Sequence, residues 1–159
     1  MSTNSKVTSK GEGLVSDILV SMQAGIQYAS MVFAVGFLLG SIRVPFLVPR
    51  IGQRNAELLE MPLMALVIIR SARHIVHRYT MAGKPLLRML TGLVGLSMLL
   101  GVELSVNYFI LGQTLRDYFV NRDSVSGPVY FASLGLFALM PYFHSHAFVR
   151  PFLVVFKFA

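Results

Sequence analysis

An all-α integral membrane bundle of four transmembrane helices, with a short N-terminal amphipathic helix before it, is the fold this sequence predicts. Three observations lead there. Of the 159 residues 55% are apolar and 13% charged, and the mean hydropathy is +0.66, whereas a soluble domain carries about 25% charged residues. A core this small cannot hide so much apolar surface, which leaves lipid as the natural solvent. Second, long apolar stretches recur along the chain, separated by short polar or proline-bearing connections. Third, Arg43, Glu57, Glu60, Arg70 and Glu103 lie in or hard against those stretches. Such groups cost about 2.5–3.5 kcal/mol each at the bilayer centre by insertion scales, so membrane proteins pair them, hydrate them or use them.

The elements follow in order. Residues 1–12 are polar and bear Gly and Ser, which predicts a disordered tail. Leu14, Val15, Ile18, Leu19 and Met22 recur at helical spacing around Ser16 and Asp17, so residues 13–23 read as an amphipathic helix lying on the membrane. The first span covers about 24–42. It lacks a convincing small-x-small cleavage site, so it reads as uncleaved rather than as a signal peptide. In RVPFLVPRIG, Pro45, Pro49 and Gly52 are expected to break any helix. The residues between them are apolar, and an interfacial connector is a simpler reading than a re-entrant loop.

The uninterrupted apolar core of the second span, Met61–Ile69, is too short, because crossing takes about 20 residues. The span must therefore extend over about 56–75, with Glu57 and Glu60 at one end and Arg70 and Arg73 at the other. Arginine stems can snorkel to the interface. The third span, 86–112, is longer than needed and should tilt. The fourth, 128–148, has Ser126 as a candidate N-cap, Pro128 in the first turn and Pro141 at an expected kink. The apolar tail 150–159 is too short to cross. Nine Lys and Arg fall on one side of this arrangement and five on the other, which predicts both termini in the cytoplasm.

Composition also removes function classes. With no cysteine there is no disulfide, thiolate metal site or cysteine nucleophile. The net charge of +7 fits cationic loops against anionic headgroups. Nucleic acid is not an expected partner, because basic clusters interleaved with aromatics are missing. No catalytic triad order, nucleotide-binding glycine loop or zinc-protease helix is present. The loops leave no room for a soluble active-site domain, and no cofactor is expected.

The candidate site is the set of charges at one membrane face. Arg43 ends the first span, Glu57 and Glu60 open the second, and Glu103 falls at similar depth on the third. Glu57 and Glu60 share a helix face. They form either a pocket in which a carboxylate carries a proton or coordinates a cation, or a structural ion pair that fixes helix register. Glu57 has a further reading, as an anion in the first helical turn behind an Asn55 cap. Gly36 and Gly40 form a small-xxx-small pair for helix packing, and Gly92, Gly95 and Gly101 should act similarly. His74 and His77, with His144 and His146, make a minor candidate metal site. Arg70, Arg73 and Arg78 repel a cation there, so interfacial histidines are the simpler reading.

GFLLGSIRV, VPRIG, AELLEMPLM and FALMP resemble segments of small four-span membrane proteins found in many bacteria and lacking an assigned activity. The resemblance covers about 24–141, and its most specific piece pairs Arg43 with the Glu57–Glu60–Pro62 segment. It implies a bacterial inner membrane and a four-helix bundle, and transfers no catalytic residue. The expected function is that of a non-catalytic accessory, assembly or scaffold component. The alternative is a minimal transporter or proton/cation channel. Expected partners are the lipid bilayer and other membrane subunits or a second copy.

Overall fold

The computed structural model describes residues 3–81, 83–109, 112 and 124–143. Among these every regular element is helical. Helix α1 runs unbroken over Thr3–Ile42, where the sequence predicts a disordered tail, an interfacial helix and a separate span. No proline interrupts this stretch, so the helical ladder has no reason to stop. Its 40 residues extend about 60 Å at 1.5 Å per residue, twice the thickness of a bilayer's hydrocarbon core.

The expected break at Pro45 and Pro49 does not occur. The chain continues through a π-helical turn, Arg43–Leu47, into a short helix α2, Val48–Ile51. The Val48 N–H donates to the Arg43 carbonyl five residues back. Pro45 lies within this π turn, so its missing N–H interrupts the ladder without ending the helix. Pro49 falls in the first turn of α2, where a missing N–H costs little. The reversal comes at Gly52, with φ 80° and ψ 160°, a conformation that side chains exclude. Residues 43–51 are thus a helical extension rather than a connector or a re-entrant loop.

Helix α3 is Gln53–Arg78, α4 is Pro85–Phe109 and α5 is Ser126–Phe143. Helix α4 stops short of the predicted 112, and Gly112 has φ 63°. The fourth span's end at 144–148, the tail 150–159, His144 and His146 lie outside the described residues. Helix α1 packs on α3 and α4, and α5 packs on the same two, so α1 and α5 face each other diagonally. Ser21 approaches the Leu87 carbonyl and Gly25 approaches Thr91 and Val94, so α1 and α4 run parallel. Gly36 meets Met64 and Gly92 meets Ala138, which makes α3 and α5 antiparallel to them.

The two ends of the bundle differ. The core of Ala24, Tyr28, Val32, Ile75, Met81 and Phe137 fills one half, the closed end. There a Cβ on Gly92 would sit 1.9 Å from the Ala138 carbonyl oxygen, and one on Gly25 2.8 Å from Val94. These glycines let backbones touch. Toward the other end the helices part, and Gly40 and Gly101 have nothing within 4 Å. Of the predicted Gly36–Gly40 pair, Gly36 meets the tip of Met64 on α3, while the closest backbone approaches lie at Gly25 and Gly92.

Large apolar side chains stay exposed on each of these helices, including Leu38, Leu63, Leu93 and Leu139. Two stretches, Gly13–Ile51 and Pro85–Val106, are long and apolar enough to cross a membrane.

Candidate functional site

The open end gathers the charges. The π turn that begins at Arg43 directs its guanidinium across to α3, where Nη1 lies 2.9 Å from Glu60 Oε2. The side chains retain only 24% and 13% exposure, so little water screens the pair. One turn earlier on α3, Glu57 Oε2 accepts a hydrogen bond of 2.5 Å from Ser126 Oγ of α5. Its other oxygen accepts one of 3.1 Å from Gln53 Nε2. Glu103 on α4 accepts a hydrogen bond from the Tyr130 hydroxyl on α5. Each carboxylate is thus tied to a group on another helical element.

Arg43, Glu57, Glu60 and Glu103 line a single cavity of about 340 Å³ with Tyr130 and Ser133, above an apolar floor of Val32, Ile68, Leu99 and Phe137. The four charges predicted to lie at one depth do converge. Three carboxylates face one guanidinium, so the lining carries an acidic excess. Among the described residues no group of three or more His, Asp or Glu is placed to hold a metal ion. His74 and His77 are exposed on α3.

Several participants are not recognisable from sequence. Ser126 is the first residue of α5, and its hydroxyl donates to Glu57 on α3. Tyr130 lies one turn further along the same face. An aromatic hydroxyl at a span end reads by default as an interfacial anchor, and only the neighbouring helix reveals it as a donor. Asn55 is not the cap of α3. Gly52 holds that position, and the Asn55 amide donates to the Ile51 carbonyl at 2.9 Å. Glu57 is then the fifth residue of the helix, beyond the first turn where the dipole acts most strongly.

Below the cavity floor, Tyr28 and Phe137 stack across the bundle diagonal with centroids 4.3 Å apart and planes within 8°. The Tyr28 hydroxyl donates to the Phe137 carbonyl at 3.0 Å. That carbonyl is the one Pro141, four residues on, cannot serve, because proline has no N–H. A side chain from α1 supplies the donor the proline withholds from α5, in the way helix-breaking residues are accommodated in membrane bundles. Arg88, counted in sequence only as a flanking cation, is 3% exposed, and its Nε and Nη1 have no hydrogen-bond partner among the described residues. Its spacing of four and seven from Gly92 and Gly95 places it on the packing face of α4, a signal available in the sequence.

No protein-family model, curated protein or solved structure matches this chain.

Proposed function

We propose that this chain is a four-span integral membrane protein of a bacterial inner membrane, with both ends cytoplasmic. It acts without chemistry of its own, as an accessory, assembly or scaffold component alongside other membrane subunits or a second copy. The membrane reading draws on the two long apolar helices and on the apolar side chains exposed on every long helix. Helices α3 and α5 have 26 and 18 residues, about 39 and 27 Å at 1.5 Å per residue, close to the bilayer's own thickness.

One observation carries the non-catalytic reading. Glu60, Glu57 and Glu103 are held by Arg43, Ser126 and Tyr130 respectively. These contacts join α3 to the end of α1, α3 to α5, and α4 to α5. They fasten the end of the bundle where close glycine contacts are missing. A fastening of this kind needs shape and charge balance, not turnover.

The cavity favours a second reading, a minimal proton or cation transporter, since a fastening alone requires no space of about 340 Å³. Glu60→Gln and Glu103→Gln nearly preserve shape while removing the titrating group. On the scaffold reading both variants keep their co-purifying partners, and liposomes with the native protein move neither protons nor cations above background. A flux in the native protein that vanishes in either variant would replace the first reading with the second.

A further inference from the structure

Along α3, Leu59, Pro62 and Leu63 are exposed, followed by Arg70, Arg73, His74, His77 and Arg78, all exposed as well. Positions 59, 63, 66, 70, 73 and 77 step by four and three, so they describe one helix face, with Arg78 on its flank. Ile68, Ile69, Ser71, Ala72, Ile75 and Val76 cover the opposite side and are buried. The outward face is therefore apolar at the open end and wholly basic over its last three turns. Among the described residues Arg70, Arg73 and Arg78 join no ion pair. Asp17 is taken by Lys84, and Glu57, Glu60 and Glu103 lie at the far end in the cavity.

We propose that this face binds an anionic phospholipid, with its phosphate held by Arg70, Arg73 and Arg78 and an acyl chain lying along Leu63 and Leu59. The inference rests on the membrane reading above. One feature singles out a lipid from an acidic protein: the change from apolar to cationic along one continuous stripe, which complements an amphiphile and not a uniformly acidic surface. Arginine suits the headgroup because its planar fork pairs two nitrogens with two phosphate oxygens.

The test uses the full chain purified in a neutral detergent, mixed with phosphatidylglycerol or phosphatidylcholine, with bound lipids counted by native mass spectrometry. The native chain should retain phosphatidylglycerol in preference to phosphatidylcholine. Each of R70Q, R73Q and R78Q should lower that preference about fivefold, and the triple variant on the order of 100-fold. R50Q, on α2, should leave it unchanged. If the triple variant does not fold, the single variants decide. Equal retention of both lipids by the native chain would overturn the proposal, as would a preference that survives R70Q, R73Q and R78Q. So would a stoichiometric acidic protein whose release follows the arginine changes. An alkaline carbonate wash separates the two readings: a chain washed off membranes sinks the membrane reading, whereas a chain that stays but shows no lipid preference sinks only this inference.

Discussion

Removing one oxygen from Tyr28 tests how this bundle accommodates a proline in a buried helix. The ring is fully buried and lies against Phe137, which is 1% exposed. Tyr28→Phe keeps the stacked pair at its 4.3 Å separation and deletes only the 3.0 Å hydrogen bond to the Phe137 carbonyl. With Pro141 unable to donate, that carbonyl loses its replacement donor where water does not reach. Leaving a buried acceptor unserved costs about 1–3 kcal/mol, so Tyr28→Phe should destabilise by that amount. Tyr28→Leu also loses the ring, adding about 0.5–1.5 kcal/mol for the stacking alone. The assay is denaturant unfolding in detergent, followed by far-ultraviolet circular dichroism. The decisive comparison is made in a Pro141→Ala background, where the residue-141 N–H returns and can serve the same carbonyl. There Tyr28→Phe should cost less than in the native chain, with a coupling of about 0.5 kcal/mol or more. If Tyr28→Phe is neutral, or equally costly in both backgrounds, the hydroxyl does not stand in for the proline's missing donor.

Two further outcomes follow from the packing and the charge distribution. Gly92→Ala forces a methyl against the Ala138 carbonyl of α5 and should destabilise by about 1–3 kcal/mol. Gly101→Ala meets nothing and should be neutral or stabilising by up to about 1 kcal/mol through helix propensity. The same unfolding assay reads both, and equal effects would contradict the closed-end and open-end description. A reporter fused after Lys157 should behave as cytoplasmic and one placed near Arg122 as external. The reverse pattern would put the glutamate cavity on the cytoplasmic side.

Much of the helical layout is legible because periodicity and apolar run length are local properties. The same holds for the depth shared by Arg43, Glu57, Glu60 and Glu103, which follows from counting residues along spans. What the sequence hides depends on a second helix. Pro45 reads as a breaker because its cost is judged within one segment, yet the helix runs on through it as a π turn. Pro141 is tolerated within α5 because Tyr28 arrives from α1. Gly36 and Gly40 read as a packing pair, whereas Gly25 and Gly92 make the close approaches. Rotation about the helix axis decides between them, and spacing alone does not fix rotation. Ser126 and Tyr130 become donors to the glutamates only once α5 is placed beside α3 and α4.

The central claim is that the charges at the open end fasten the bundle, and a thermodynamic cycle on Arg43 and Glu60 tests it most directly. Arg43→Met leaves Glu60, only 13% exposed, without its counter-ion. Breaking a buried pair by removing one partner costs about 3–5 kcal/mol. Because Arg43 keeps 24% of its surface, a loss of about 2–4 kcal/mol is expected here. Adding Glu60→Gln removes the stranded charge, and the double variant should recover at least half of that loss in a detergent melt. Single and double changes that simply add would contradict the account, because Arg43 and Glu60 would then hold nothing together.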